Sequence, residues 1–308
     1  MNRLPDEYHL PVDDVIQNFV NWLVQEWRPA FQAIRWPIAQ VLDGVSDFLL
    51  MLPFWAVILA FLVIGWKSAG YRVGLFCGSA FLAIAVMGVW NEAMTTLAIL
   101  VTSLVFCVCV GIPVGILAGR SDVFWTILRP VLDVMQTTPS FVYLVPVVML
   151  FGIGTVPGVI ATIIFSIPPI IRLTNLGLRQ VPTETREAGE AFGATEWQAL
   201  TNIRLPLALP SIMAGLNQTI LMSMVMSVII AMIGAEGLGL AVLRGIGTLD
   251  VGLAGVAGIA IILLAITLDR ITQGMGEHAK HLHSGFGVSS FIRRLKTAII
   301  PDKGTIRS

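Results

Sequence analysis

Seven apolar stretches, each close to 20 residues long, constrain this chain more than any other feature of its sequence. They fall near residues 48–66, 71–90, 93–119, 135–153, 156–174, 208–234 and 251–269. A helix needs about 20 apolar residues to cross a bilayer core of roughly 30 Å, and inside lipid its backbone hydrogen bonds must be satisfied internally. The sequence therefore predicts an all-α integral membrane protein with about seven transmembrane helices.

The charge content agrees with a membrane location for most of the chain. Of the 308 residues, 56% are hydrophobic and 12% are charged, whereas soluble domains carry about 25% charged residues. The 19 basic and 19 acidic residues cancel, so nothing in the charge balance points to nucleic acid. Cys77, Cys107 and Cys109 lie inside apolar runs. We interpret them as small buried hydrophobes and expect no metal site.

The distribution of Lys and Arg predicts which connections face the cytoplasm, because short cytoplasmic loops are enriched in these residues. The first, third and fifth connections carry or border on basic residues, namely Lys67, Arg72, Arg120, Arg129, Arg172, Arg179, Arg186 and Arg204. The other connections carry Arg244 alone. This pattern predicts an external N-terminus and a cytoplasmic basic tail over residues 273–308, with Arg293, Arg294 and Lys296. Its histidines, His278, His281 and His283, are interpreted as part of that solvated tail.

Residues 1–47 are too polar to span a membrane and are predicted to form an external N-terminal segment. Its apolar residues recur at helical spacing, and they are Val12, Val15, Ile16, Phe19, Leu23 and Trp27. Polar and acidic residues occupy the opposite face, so we expect an amphipathic helix along the outer membrane surface. An acidic polar face favours packing against the transmembrane part or another subunit over binding to anionic lipid.

Prolines inside the predicted spans are candidate kinks, because proline removes a backbone hydrogen bond and bends a helix. Pro113 is expected to interrupt the third span, Pro146 the fourth, and Pro168 with Pro169 the fifth. Irregular backbone at membrane depth is tolerated where it lines a watery path, so these positions are candidates for a translocation pathway. Simple helix packing is the alternative, and the four-residue spacing of Gly111, Gly115 and Gly119 would also serve it.

The fifth connection contains the most specific pattern in the sequence. It reads Glu187-Ala188-Gly189-Glu190-Ala191-Phe192-Gly193, then nine residues, then Ile203-Arg204-Leu205-Pro206. Gly193 suits the left-handed conformation that ends a helix, Thr195 and Gln198 have capping-box spacing, and Pro206 is expected to end a second helix. These signals predict an L-shaped pair of short helices, here called the bracket (residues 183–206).

The bracket carries more apolar residues than a solvated loop needs. They are Ala188, Ala191, Phe192, Trp197, Leu200 and Ile203. We therefore expect the bracket to insert into a groove on another protein. An amphipathic loop packed against its own chain is the alternative.

The bracket resembles the E-A-A-x3-G-x9-I-x-L-P coupling motif of type I ABC importer permeases, with Gly189 in place of the second alanine. In that family the positions of Glu187 and Gly193 lie in the coupling helix that docks on the ATPase subunit. The resemblance implies a docking role for the matched residues, which are Glu187, Ala188, Gly189, Gly193, Ile203, Leu205 and Pro206. It also implies the type I importer permease fold.

The stretches 136–139, 168–172 and 234–247 further resemble the glycine betaine/proline betaine permease group. This resemblance covers roughly residues 91–272, and the group also carries two accessory spans, here 48–90. It implies a permease homodimer in the bacterial inner membrane, two ATPase subunits that bind ATP and Mg, and an external solute-binding protein. The implied solute is a quaternary ammonium osmoprotectant, with choline and carnitine as alternatives.

The energy source can be tested on the sequence itself. The chain contains no G-x4-G-K-[ST] loop, so we expect a transport subunit without its own ATPase site or cofactor. A secondary carrier would need ionisable groups at mid-membrane depth. Acidic residues instead fall at the predicted span ends, namely Glu92, Glu236, Asp250 and Asp269. A membrane scaffold or sensor is the remaining alternative, and the bracket argues against it.

Overall fold

A computed structural model describes residues 12–284, and all regular structure in that range is helical. The helices are α1 Val12–Glu26, α2 Arg28–Met51, α3 Phe54–Ala69, α4 Tyr71–Val86, α5 Trp90–Arg120, α6 Asp122–Thr137, α7 Ser140–Phe151, α8 Thr155–Arg179, α9 Thr183–Ala191, α10 Glu196–Ala199, α11 Leu205–Ile229, α12 Leu238–Gly247 and α13 Val251–Ser284. A π-helical turn at Leu200–Arg204 precedes α11, and a 3-10 turn at Ile230–Ile233 follows it. The prediction of an all-α fold is confirmed.

Four helical segments are long and apolar enough to cross a membrane. They are Trp90–Arg120, Thr155–Arg179, Glu196–Ile233 and Val251–Glu277. Two bent helix pairs, α2 with α3 and α6 with α7, raise the number to six if each pair crosses as one span. α4 has only 16 residues. Every predicted stretch overlaps at least one of these helices, while the number of seven spans stays a prediction.

The two bent pairs break immediately before a proline. The axes turn by 106° between α2 and α3, at Leu52-Pro53, and by 102° between α6 and α7, at Thr138-Pro139. Leu52 and Thr138 are extended, with ψ of 132° and 128°, because the ring of a following proline disfavours the helical conformation. The first and fourth predicted stretches extended across these breaks, so their prediction as continuous helices is wrong.

Helices α5, α7 and α8 continue through the prolines that were predicted to interrupt them. Pro113 lies within α5, Pro146 within α7, and Pro168 with Pro169 within α8. The predicted interruptions are wrong, because neighbouring helices and local adjustments can satisfy the carbonyls that an interior proline frees. Pro113 and Pro146 are exposed, whereas Pro168 and Pro169 are buried. Their roles as kinks and in a pathway stay predictions.

Small residues let α5 pack closely on α8. A Cβ added to Gly115 would lie 2.6 Å from the Cβ of Thr174, and one added to Gly111 would lie 2.5 Å from a methyl carbon of Ile170. Gly119 continues the same contact line against Leu178. Without a hydrophobic driving force between helices in lipid, such close backbone approach supplies the packing energy. The four-residue glycine spacing therefore serves helix packing.

The other face of α8 packs on α11 in the same way. A Cβ on Gly177 would lie 2.8 Å from the Cβ of Ser211, and one on Gly215 would lie 3.1 Å from the Cα of Ile170. Ile170 is fully buried. α8 is therefore the central helix of the bundle, held between α5 and α11, and its last residues lead directly into the bracket.

Helix α2 joins the N-terminal region to this bundle. Its Ile38 and Leu42 are buried in one cluster with Ala98 of α5. The Phe31 ring packs edge-on against Phe151 of α7, with the ring centroids 5.4 Å apart. α1 coincides with the segment predicted as an amphipathic helix, and its position on the outer membrane surface stays a prediction.

Part of the predicted tail and N-terminus lies outside the described residues. Residues 1–11 and 285–308 are not described, and these ranges include Arg293, Arg294 and Lys296. Helix α13 reaches Ser284, and the predicted histidine cluster falls within its last turns. The side chains of that cluster also lie outside the described part of the structure.

Candidate functional site

The first arm of the bracket is α9, which ends in a Schellman-type turn. Gly193 has φ of +81°, a conformation in which a Cβ is unfavourable. The Ala194 N–H donates to the Gly189 carbonyl over 3.0 Å, and this six-to-one bond satisfies a carbonyl that the helix end would otherwise leave open. The predicted left-handed turn at Gly193 is confirmed.

The second arm begins with a complete capping box. The Gln198 N–H donates to Thr195 Oγ1 over 3.3 Å, and the Thr195 N–H donates to Gln198 Oε1 over 2.9 Å. The two side chains thereby satisfy backbone donors that the first turn leaves without intrahelical partners. This predicted helix start is confirmed.

The second arm does not end at Pro206, and that prediction is wrong. The helical chain continues from Glu196 through α11 to Ile233. The π-helical turn at Leu200–Arg204 widens the helix just before the proline and accommodates Pro206 inside a continuous helix. The bracket therefore consists of a short arm, α9, and a long arm that is itself the next transmembrane helix.

The two arms meet where the sequence departs from the coupling motif. A Cβ added to Gly189 would lie 2.5 Å from the Cδ1 of Ile203. Ile203 thus occupies the space that an alanine methyl group would need. α9 therefore packs closely on the π-helical turn at this point, although the coupling motif combines alanine here with the same isoleucine.

The apolar residues of the bracket divide into an exposed and a buried group. Phe192 is 93% exposed and Trp197 is 67% exposed, and Ala188 and Ala191 are exposed beside them. These four residues are called the docking patch below. Leu200 is 3% exposed and packs in a cluster with residues of α8 and α11, so its prediction as a contact to another protein is wrong. Bulky aromatic side chains left this exposed are typical of a surface that another protein covers.

Arginines link the bracket to the end of α5, and another arginine links the end of α8 to the start of α6. Arg120 pairs with Glu196 at the start of the long arm, with an N–O distance of 2.9 Å. Arg204 donates to the Gly119 carbonyl over 3.4 Å. Arg179 pairs with Asp122 over 2.6 Å. These groups line a polar cleft of about 670 Å³ between the bracket and the bundle.

Sequence reasoning used these arginines only as topology signals and missed their contacts. Arg120 and Glu196 are separated by 76 residues, and Arg204 and Gly119 by 85. No local spacing rule links such distant positions. The available signal is the clustering of basic residues around the motif. In the structure, Arg120 and Arg204 of this cluster form the contacts between α5 and the bracket.

A second feature that sequence reasoning missed is a partly exposed ion pair between α6 and α8. Arg172 Nη2 lies 2.5 Å from Asp133 Oδ1. Arg172 was assigned to the edge of a cytoplasmic connection, but α8 continues to Arg179 and contains it. Arg172 lines a cavity of about 370 Å³ between α6, α8 and α11, and Pro169 lines the same cavity, whereas Asp133 is not part of its lining. Pro113, Pro146 and Pro168 do not line this cavity.

Comparison with known proteins agrees with this geometry. The family model for the binding-protein-dependent transport system inner membrane component matches residues 111–277, which is more than half of the chain. The chain is 49% identical over 278 residues to the glycine betaine/proline betaine transport system permease protein ProW of Escherichia coli (strain K12), covering 89% of this chain and 78% of that protein. It is 42% identical over 275 residues to the glycine betaine transport system permease protein OpuAB of Bacillus subtilis (strain 168), covering 89% and 96%.

A solved structure shows the same fold. Inward facing conformations of the MetNI methionine ABC transporter match with a TM-score of 0.56 at 22% identity, covering 64% of this chain and 96% of that chain. The bundle is accordingly the fold of a type I ABC importer permease. The chain belongs to the binding-protein-dependent transport family, as a multi-pass inner membrane permease subunit of an ABC importer.

Proposed function

We propose that this chain forms, as a homodimer, the translocation path of an ABC importer for glycine betaine and proline betaine. The observation that carries the proposal is the bracket, whose turn, capping box and exposed docking patch follow the coupling motif in a chain 49% identical to a betaine permease. Carnitine is the second candidate. It is supported by 41% identity over 282 residues to the glycine betaine/carnitine transport permease protein GbuB of Listeria monocytogenes serotype 1/2a (strain 10403S).

The partners in this proposal are two ATPase subunits, which bind ATP and Mg, and an external solute-binding protein. The bracket then faces the cytoplasm, with the N-terminus outside and the C-terminus inside. Arg120, Arg179 and Arg204 gather at the bracket end of the bundle, and basic residues of this kind favour the cytoplasmic side.

The geometry of the bracket suits the transmission of force. Phe192 and Trp197 would insert into a groove on each ATPase, and closure of the two ATPases on ATP would draw the two brackets together. Because the long arm continues into α11 without a break, its displacement acts directly on a membrane-spanning helix. The permease would then open outward to receive the solute, and hydrolysis would return it to the inward-open state.

Uptake in reconstituted vesicles tests the proposed solute. The chain is assembled with its ATPase and loaded binding protein, and labelled glycine betaine, proline betaine, carnitine and choline are compared. We expect ATP-dependent accumulation of the two betaines and no accumulation when the ATPase is omitted. Equal uptake without the ATPase would show a channel or a secondary carrier. Uptake of carnitine alone would replace the proposed solute by the second candidate.

Reporter fusions test the proposed orientation separately. A reporter fused after residue 308 should be cytoplasmic and one fused before residue 1 should be external. Both reporters on one side would show an even number of spans. That result would require the bent pair α2 and α3, or the short α4, to be reassigned.

A further inference from the structure

Four polar side chains join α11 to α13, and they are called the clasp below. Asn217 Nδ2 of α11 donates to Asp269 Oδ1 of α13 over 3.1 Å, and Thr272 Oγ1 donates to Asn217 Oδ1 over 2.5 Å. Gln273 Nε2 donates to both carboxylate oxygens of Asp269 over 2.8 Å. Thr272 is only 7% exposed, so its bond to Asn217 is shielded from water.

The clasp holds α11 in one register against α13. The Asn217 amide donates on one side to a carboxylate, which only accepts, and accepts on the other side from a hydroxyl. A flipped amide would place acceptor oxygens against each other. A shift of α11 by one residue moves a side chain about 1.5 Å along the helix and about 100° around it, which would break both bonds. The middle of α11 is therefore fixed relative to α13.

The accessory helices hold α13 in turn. A Cβ added to Gly274 would lie 2.5 Å from the Cβ of Ala69 and 2.6 Å from the carbonyl oxygen of Ser68, so the backbone of α13 lies directly against the end of α3. Nearer the other end of α13, Leu264 is fully buried in one cluster with Phe81 of α4. Helix α13 thus has a tightly packed support on the side of α3 and α4.

The clasp lies at the midpoint of α11. Asn217 has twelve residues of the helix on each side, from Leu205 to Ile229, which is about 18 Å in either direction. A cavity of about 220 Å³ lies between α11 and α13 and extends from the clasp toward the bracket. Its lining includes Pro210, Met213, Gly276 and Glu277. The bracket end of α11 therefore has room to tilt toward α13.

We propose that the clasp is a pivot, at which α13 holds the middle of α11 while the two ends of α11 tilt in opposite directions. The inference rests on the coupling role proposed for the bracket. Because the long arm is continuous with α11, a displacement of the bracket would move the end near Ile229 the opposite way. The contact of α11 with α8 runs through Gly177 and Gly215, which permits such a tilt. Asn217 and Asp269 are positioning residues, and α3 and α4 support the pivot.

Thiol labelling at the outer end of α11 tests the pivot without relying on a transported solute. Of the three cysteines, only Cys109 is exposed, so a Cys109→Ala background removes the accessible native thiol. Val228→Cys and Met232→Cys, in separate variants, place probes at positions that are 36% and 60% exposed. The purified complex of permease and ATPase is labelled with a small uncharged thiol reagent before and after the ATPases are trapped with ATP and vanadate. With the clasp intact, we expect trapping to change the labelling rate several-fold.

Exchange of the two clasp side chains separates positioning from folding. Asn217→Asp sets two carboxylates against each other, and loss of a hydrogen bond to a charged group shifts an equilibrium about tenfold to a hundredfold. The change in labelling should therefore be largely lost. Adding Asp269→Asn restores one amide facing one carboxylate and should recover it. Gln273→Ala is the matched control, because it removes bonds within α13 and leaves the contact of Asn217 with Asp269.

The amount of ATP hydrolysed per imported betaine is the second measurement. It should rise several-fold in Asn217→Asp, because hydrolysis continues while the outer end of α11 no longer follows the bracket. Parallel loss of hydrolysis and uptake would refute the pivot, and so would unchanged labelling on trapping with the clasp intact or failure of the exchanged pair to recover. Absence of betaine import by the wild-type complex, with a labelling change that depends on the clasp, would refute the import proposal and leave the pivot in place.

Discussion

Replacement of Gly193 by valine tests the geometry of the docking patch without disturbing the helix bundle. Gly193 has φ of +81°, and a Cβ built on it would meet no atom within 4 Å. The cost of the substitution is therefore backbone strain alone, about 1–2 kcal/mol for a residue with a Cβ in this region. A β-branched residue lies at the upper end of that range, because it is a strong outlier at positive φ.

This strain energy is large compared with the free energy that keeps α9, the short arm, in its position. α9 is exposed along most of its length and is tied down by its turn and by the contact of Gly189 with Ile203. Segments with few buried contacts open at low free energy. A change of 1–2 kcal/mol alters a conformational equilibrium about 5- to 30-fold, so the docking patch would lose its orientation in much of the population.

The assay compares reconstituted complexes at equal amounts of assembled permease. ATPase stimulation by loaded binding protein and net uptake should fall together in Gly193→Val, while membrane insertion is retained. Gly193→Asn is the matched control, because asparagine tolerates the left-handed region, and it should keep most of the activity. Full stimulation in the valine variant would show that the bracket is not the coupling element. Equal loss in both variants would refute the backbone explanation.

Further predictions concern the contacts around the bracket and the bundle. Gly189→Ala should lower ATPase stimulation slightly, and Ile203→Val, which removes the crowding Cδ1, should restore it; an unrelieved loss would contradict the packing explanation. Thr195→Ala should destabilise the long arm by about 1 kcal/mol and increase protease cleavage there, whereas Thr195→Ser should not. Gly115→Val should lower the stability of the folded permease by about 1–3 kcal/mol through overpacking, and should therefore lower its melting temperature in detergent. Gly247→Val is the control, because a Cβ at Gly247 would lie in open space.

Local signals in the sequence predicted the parts of the bracket that depend on a few neighbouring residues. The left-handed turn at Gly193 and the capping box of Thr195 with Gln198 both involve atoms within six residues of one another. The backbone conformation at these points is decided by the ability of glycine to adopt positive φ and by hydrogen bonds from nearby side chains to backbone groups. Such features form in the same way whatever surrounds them.

The wrong predictions depended on distant parts of the chain. Leu200 has the same apolar character as Trp197, but only the packing of α8 against α11 decides that Leu200 is buried. Pro206 ends a helix in most contexts, and the π-helical turn that accommodates it is set by the continuous course of the long arm. A helix was not predicted at Leu238–Gly247 either, where the Leu238 N–H donates to Thr96 Oγ1, 142 residues away.

The breaks before Pro53 and Pro139 are a different kind of error, because the signal was present. A proline disfavours the helical conformation in the residue before it, and this constraint applies at Leu52 and Thr138 whatever the hydropathy of the stretch. Hydropathy alone predicts a continuous span through these positions, and the proline constraint overrides it. At Pro113 and Pro168 the helix continues instead, so the sequence alone does not decide which prolines end a helix.

The continuity of the long arm limits where a movement of the bracket can be absorbed. No loop separates Glu196 from α11, so a displacement at the docking patch must change either the turn at Gly193 or the packing of α11 on α8. That packing runs through Gly177 and Gly215, whose lack of side chains allows one helix to slide along the other. Gln218, one turn beyond Gly215, lines the cavity that contains Arg172. A sliding movement of α11 therefore changes the shape of this cavity.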